Sequence, residues 1–261
     1  MRLDVLTSGI WQTNTTIVST AGACLVLDPA YFPRELDAVV ARVGAVAAGG
    51  RATAVVFTHG HWDHVMGHAA LPEAEVWLSA ALDQAIAAGD PRAAGYLDEA
   101  RAFDSRWYVP RPGGHAWPTR RRGLGDGERI VVGDAAVEVL QLTGHSPDGL
   151  GLIVGGALLP GDHLSPCEIP FVDDAVAYRA TLGRLLEVLA EVDEVVPGHG
   201  RRLTAAEARA IAIADRDYLD RLLAAAAVGD RAAAAAIPLP RAGDVVGMVE
   251  HHRDNCARLG L

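Results

Sequence analysis

The chain has 261 residues, 50% of them hydrophobic, and carries 33 acidic against 23 basic side chains for a formal net charge of −10. That apolar content is enough for a core, the length fits one large domain or two small ones, and the acidic excess excludes a general affinity for nucleic acid or anionic membrane. All 23 basic residues are arginine, so any mechanism that needs a Schiff-base lysine is excluded.

In chain order, residues 3–7, 14–19 and 23–28 read as short strands, with Ala21-Gly22 as a turn and Asp28-Pro29 ending the run. Pro33 suits a first helical position, and Leu36, Val39, Val40, Val43 and Val46 follow at helical spacing until Gly49-Gly50. Residues 51–57 form a short apolar, β-branched strand, followed by a short helix over about 63–70 and a strand at 75–78. Ser79 caps a helix running to Ala88, and a further helix is expected over 91–103. Residues 89–127 are the least regular part. Within them, 105–122 hold Trp107, Trp117 and five arginines, the composition of a lid or substrate loop in which Arg106, Arg111 or Arg120, Arg121 and Arg122 would pair with a substrate carboxylate. Strands resume at 128–132 and 135–142 across Gly133-Asp134, and at 152–154 and 157–159 across Gly155-Gly156. A helix over 173–192, a strand at 194–196, a Thr204-Ala-Ala-Glu207 capping box opening a long alanine-rich helix, and a last helix over 243–258 beyond Pro238 and Pro240 complete the chain.

The chemistry concentrates in residues 58–64, Thr-His-Gly-His-Trp-Asp-His, where His59, His61, Asp63 and His64 follow directly on a strand. Strand ends are where open α/β sheets place their sites. His59 and His61, two apart, point the same way in extended backbone. Asp63 and His64 are adjacent and must diverge, which suits a second ion better than a fourth ligand on the first. Imidazole and carboxylate are typical ligands of zinc. Three more ligand-type residues stand after apolar strand-like runs with glycine beside them: His145 in Gly144-His-Ser-Pro147, Asp162 in Gly161-Asp-His163 and His199 in Gly198-His-Gly200.

This pattern resembles the signature of the metallo-β-lactamase superfamily, His-x-His-x-Asp-His followed by a lone His, a lone Asp and a last His, and the resemblance covers roughly residues 1–220. It implies an α/β fold, a four-layer αββα metallo-β-lactamase sandwich, here as a single domain over 1–261 with helices at 204–261. It also implies a dinuclear zinc centre. His59, His61 and His145 would hold one Zn²⁺, Asp63, His64 and His199 the other, and Asp162 would bridge them. Iron or manganese are the alternative metals. A hydroxide shared by two such ions is available at neutral pH, with Asp63 and Asp162 as the catalytic carboxylates and Asp63 relaying a proton to the leaving group. An Asp bridge resembles the glyoxalase II and lactonase branches more than the commonest β-lactamases, which have Cys there.

The expected function is therefore hydrolysis of a small ester, thioester or lactone. β-Lactam or phosphodiester hydrolysis and iron-dependent redox chemistry of the persulfide dioxygenase type are the alternatives. Glyoxalase II usually has Gly-Gly where this chain has Gly67-His68, and it grips glutathione with lysine. Lactonases often use a tyrosine near the metals, for which Tyr31, Tyr108 and Tyr178 are the candidates. The expected partner is a small-molecule substrate, with no nucleic acid and no membrane; nothing in the sequence specifies an oligomeric state. Cys24, Cys167 and Cys256 are widely spaced and odd in number, the N-terminus lacks a signal peptide's apolar stretch, and no run approaches the ~20 apolar residues of a membrane span. A cytoplasmic protein is expected. His68, His115, His163, His251, His252 and Asp148 read as ordinary surface, turn or supporting residues, with His163, next to Asp162, expected to support the metal ligands.

Overall fold

A computed structural model describes residues 1–239, 241, 243 and 245–261. Two mixed β-sheets flanked by helices give an α/β fold. The chain divides into two compact units, residues 1–141 with 148–155, and residues 142–147 with 156–261.

The first unit holds β1 (Arg2–Thr7), β2 (Asn14–Thr20), β3 (Ala23–Leu27), α1 (Pro33–Val46), β4 (Ala54–Val56), α2 (Trp62–Val65), β5 (Glu75–Ser79), α3 (Ala80–Ala88), α4 (Pro91–Trp107), β6 (Arg121–Leu124), β7 (Arg129–Val132), β8 (Ala135–Gln141) and β9 (Leu150–Val154). Its first sheet runs β1-β2-β3-β4-β5-β6. β1, β2 and β3 are antiparallel neighbours, and β3 to β6 are joined by parallel pairings. Parallel neighbours need a crossover, and α1 supplies the one between β3 and β4. β7, β8 and β9 are joined by antiparallel pairings. Ile17, Val26, Val55, Phe57, Val76 and Leu78 form one core with Val39 and Val43 of α1, Leu82 of α3 and Leu97 of α4. Each such buried aliphatic side chain contributes about 1.5–3 kcal/mol.

The second unit holds β10 (Ala157–Leu159), α5 (Ala175–Val188), β11 (Glu194–Val195), β12 (Leu203–Thr204), α6 (Ala205–Val228), α7 (Arg231–Ala235) and α8 (Met248–Arg258). β10 pairs parallel with β11, and β11 antiparallel with β12. Leu182 and Leu185 of α5 and Ala208, Ala212, Leu219 and Leu222 of α6 are buried. The capping box at the start of α6 is formed: Thr204 accepts from the Glu207 backbone, and Glu207 accepts from the Thr204 N–H at 2.8 Å.

Several expectations change. The strand before the His59–His64 motif is only Ala54–Val56, and the helix after it is one turn, α2, continued as a 3₁₀ segment over Met66–Ala70. α4 runs on to Trp107, and Arg121–Leu124 is a strand, so the region 89–127 is more regular than its composition predicts. β12 and α7 were not expected, and the last helix begins at Met248. Of the residues around that expected helix start, 240, 242 and 244 lie outside the described residues. No described helix is long and apolar enough to cross a membrane.

Candidate functional site

In the first unit, β4 delivers the chain to Thr58, and His61 is the N-cap of α2 (φ −60°, ψ 143°), so the motif changes from extended to helical backbone inside itself. The extended part puts His59 Nε2 3.0 Å from His61 Nδ1, and the helical part puts His64 Nε2 3.2 Å from Asp63 Oδ2. His59, Asp63 and His64 are buried. Gly60 sits between the two halves of the motif because nothing larger fits: a Cβ there would lie 2.4 Å from the Tyr96 ring and 2.8 Å from Asp148 Oδ2.

Asp28, whose role the sequence reading did not detect, orients these histidines. It follows β3 with φ of 47°, a left-handed conformation that Asp tolerates better than most residues. Its Oδ1 accepts from the Thr58 backbone N–H at 2.8 Å, and its Oδ2 accepts from the Thr58 hydroxyl at 2.7 Å. The hydroxyl has one proton, already given to Asp28, so at 3.1 Å it accepts from His59 Nδ1–H. His64 Nδ1–H donates to Asp28 Oδ2 at 3.0 Å. Both rings are thereby held in the tautomer that leaves Nε2 as a lone-pair donor, the arrangement in which histidine binds a metal. Thr13 does the corresponding work for Asp63, sharing its hydroxyl proton between Asp63 Oδ2 at 3.1 Å and the Ile10 carbonyl at 2.9 Å.

An aromatic cluster backs the motif. Trp62 packs against Tyr31 (ring centroids 4.7 Å apart), Phe103 (4.6 Å) and Trp11 (5.3 Å), while Tyr96 stands 5.3 Å from His61. Tyr96 is thus the tyrosine beside a motif histidine in this unit, although the sequence reading named others. Tyr31 is buried and donates to Asp104 Oδ1 at 2.6 Å, and Tyr108 is 92% exposed. His68 is half-buried with Nδ1–H on the Val65 carbonyl, and burial pushes its pKa down.

The loop arginines are committed internally. Arg111 makes a two-point contact with Asp104 (2.9 and 3.0 Å) and donates to the Tyr31 carbonyl, and His115 Nε2 lies 2.7 Å from the same carboxylate. Arg121 pairs with Asp83, Arg122 with Glu128, and Arg120 donates to the Glu73 carbonyl. Arg106 lies over the Trp107 ring. Trp117 Nε1–H donates to the Ala93 carbonyl at 3.1 Å.

In the second unit, His145 lies in the segment after β8, Asp162 follows β10 and His199 follows β11. Asp162 Oδ2 is 3.3 Å from His145 Nε2 and 3.2 Å from His199 Nε2, so one carboxylate oxygen faces two imidazole nitrogens. Gly198 permits this: a Cβ there would fall 2.1 Å from Asp162 Oδ1. Tyr178 is fully buried and donates to the Asp162 carbonyl at 3.4 Å. His163 packs on Tyr178 at 4.6 Å, and burial pushes its pKa down to about 3, so it is neutral at physiological pH. Phe171 stands 5.6 Å from the His145 ring and 5.3 Å from His251 of α8. His252, expected on an exposed face, is buried against Tyr218.

His59, His61, Asp63 and His64 thus lie together in the first unit, and His145, Asp162 and His199 in the second; all seven belong to His/Asp groups that could hold a metal ion. The donor sets fit a divalent cation, because the hydrogen bonds of Asp28 and Thr58 direct the Nδ1–H of His59 and His64 away from the cluster and turn Nε2 toward its other ligand-type side chains, and the carboxylates face imidazole nitrogens at contact distance.

Comparison with known proteins agrees. The family model of the metallo-β-lactamase superfamily matches residues 8–199. No curated protein matches the chain by sequence. Among solved structures, TTHA1623, determined in a di-iron-bound form, is 28% identical (TM-score 0.59, 78% of this chain and 96% of that one). ETHE1 from Myxococcus xanthus is 17% identical (TM-score 0.59, 99% and 100%). The sec-alkylsulfatase Pisa1 from a Pseudomonas species is 17% identical (TM-score 0.73), and 98% of this chain aligns with 48% of that longer one. The last two show the fold alone. By the family model and the two mixed sheets flanked by helices, this chain belongs to the metallo-β-lactamase superfamily.

Proposed function

We propose that the chain is a dinuclear metal-dependent hydrolase of the glyoxalase II or lactonase-like branch, acting in the cytoplasm on a small ester, thioester or lactone. Both units serve one domain in this reading. His59, His61 and His145 hold one Zn²⁺, Asp63, His64 and His199 hold the other, and Asp162 is shared. The observation that carries the proposal is the placement of Asp162 Oδ2 3.3 Å from His145 Nε2 and 3.2 Å from His199 Nε2. One carboxylate oxygen within reach of a histidine from each ligand set supports a shared role for Asp162. Seven ligand-type residues also exceed what one four-coordinate zinc requires.

When bound, the two ions supply Lewis acidity and a nucleophile at neutral pH. The protein's own residues do the rest. Asp28 and Thr58 fix the tautomers of His59 and His64. Asp63, its Oδ2 oriented by Thr13, would relay the proton given up by the attacking water or hydroxide to the leaving group. None of the three cysteines forms a disulfide, as suits a reducing compartment.

The test is proton release by zinc-loaded protein against thioesters, lactones, simple esters, β-lactams and phosphodiesters, with Asp162→Ala as control. Turnover of a carbonyl class that disappears in a folded Asp162→Ala supports the reading, and full activity in that variant refutes it. The di-iron form of TTHA1623 favours one second reading, an iron-dependent redox enzyme. Silence across the panel, with oxygen uptake by iron-loaded protein on a persulfide, would establish that reading instead.

A further inference from the structure

The loop that carries Asp162 needs restraint from outside itself. Leu164, two residues on, has φ of 64°, a conformation disfavoured for leucine. One side of the loop is fixed by the His199 turn, where Gly198 N–H donates to the Gly161 carbonyl at 2.7 Å. The far end is fixed by Arg241, from the stretch between α7 and α8. Its Nε–H donates to the Glu168 carbonyl at 2.6 Å, and its Nη2 pairs with Asp215 of α6. Both partners are buried: Arg241 is 9% exposed and Asp215 3%. A buried guanidinium is stable only with its donors satisfied, so its two contacts are obligatory. The carbonyl contact fixes the Glu168 main chain, and Glu168 Oε1 lies 3.9 Å from Nδ1 of His199, on the side of the ring away from Asp162. At that distance the carboxylate acts on the ring through its charge rather than through a hydrogen bond.

We propose that Arg241, anchored on Asp215, is a positioning residue for the metal-binding half of this unit: it fixes the loop bearing Asp162 and holds Glu168 opposite His199. The inference rests on the dinuclear reading given above. It gives the C-terminal segment, which contributes no ligand, a direct part in metal affinity.

The experiment compares the full chain with Arg241→Met, Asp215→Asn/Arg241→Met and Arg241→Lys. Zinc affinity of each equivalent is measured by competition with a chelator, with the visible spectrum of the Co²⁺-loaded protein and the melting temperature alongside. Arg241→Met should melt low, because Asp215 is left buried without its cation. The double variant removes that charge and should regain most of the lost melting temperature. It should still bind the second equivalent about tenfold or more weakly and show altered Co²⁺ bands, since nothing then donates to the Glu168 carbonyl. Arg241→Lys keeps a charge beside Asp215 but not the planar fork needed for both contacts. It should melt near wild type with the same affinity loss, which keeps the test decisive if the double variant folds poorly. Wild-type affinity and spectrum in a folded double or Lys variant would overturn the role of Arg241. A wild-type chain that binds no divalent metal would overturn the dinuclear reading, and this inference with it.

Discussion

Replacing Asp28 with Asn changes one oxygen to an amide nitrogen at a site where every neighbour is a donor. The Thr58 N–H, the Thr58 hydroxyl and His64 Nδ1–H all point at a carboxylate that is 2% exposed. In its better orientation the amide keeps its oxygen toward Thr58 Oγ1 and His64, and its NH₂ then opposes the Thr58 N–H. One charge-assisted bond is lost, at about 1.5–3 kcal/mol, and two fall to roughly half their strength, for a total of roughly 3–6 kcal/mol. For a chain of this size that corresponds to a fall in Tm on the order of 6–24 °C. The effect on metal is separate. With a neutral acceptor His64 no longer strongly prefers the tautomer that frees Nε2, and zinc affinity should fall about 10- to 100-fold. Thermal melts of apoprotein and chelator competition with zinc read the two effects independently. A variant that melts low but binds both zinc equivalents as tightly as wild type would refute the tautomer argument.

Three other substitutions test the supporting structure. Gly60→Ala places a methyl inside contact distance of Tyr96 and Asp148 and should cost about 1–3 kcal/mol, or more if the ring cannot shift. Urea unfolding with no loss of stability would show that the motif turn is looser than described. Asp104 is buried, which raises its pKa, but hydrogen bonds from Arg111, Tyr31 and His115 outweigh burial and leave it below the usual 3.8. Its stabilising contribution is therefore complete above about pH 4 and is lost as pH falls through the lower folded-state value. The stability gap between wild type and Asp104→Asn should narrow at acid pH, and a constant gap between pH 7 and pH 3 would contradict the assignment. Thr204→Ala removes the α6 cap and should cost about 1 kcal/mol, seen as a few degrees in Tm.

All seven ligand-type residues were legible because strand-end chemistry is local: an apolar run, a glycine and a ligand lie within a few positions of each other. The α/β class was legible for the same reason, since α1 and α6 carry their signals in periodicity and caps. Asp28 was not legible. It lies 30 residues from the Thr58 it supports, and an Asp before Pro at a strand end reads equally well as a turn. β6 was hidden because it is an edge strand of Arg-Arg-Gly-Leu, held by backbone pairing to β5 rather than by an apolar face. The arginines of that region looked available for substrate because no local pattern announces their pairing with Asp83 of α3, Asp104 of α4 or Glu128 just before β7. His252 shows the reverse case, a polar residue on a short terminal helix that tertiary packing buries.

Metal stoichiometry tests the central claim most directly. The apoprotein should be loaded with excess zinc, freed of weakly bound metal by gel filtration, and assayed for zinc per chain, with Asp162→Ala beside it. Two zinc ions per wild-type chain, reduced in the folded variant, is the result that a shared Asp162 requires. One ion or none in the wild type, or two retained in Asp162→Ala, would contradict it.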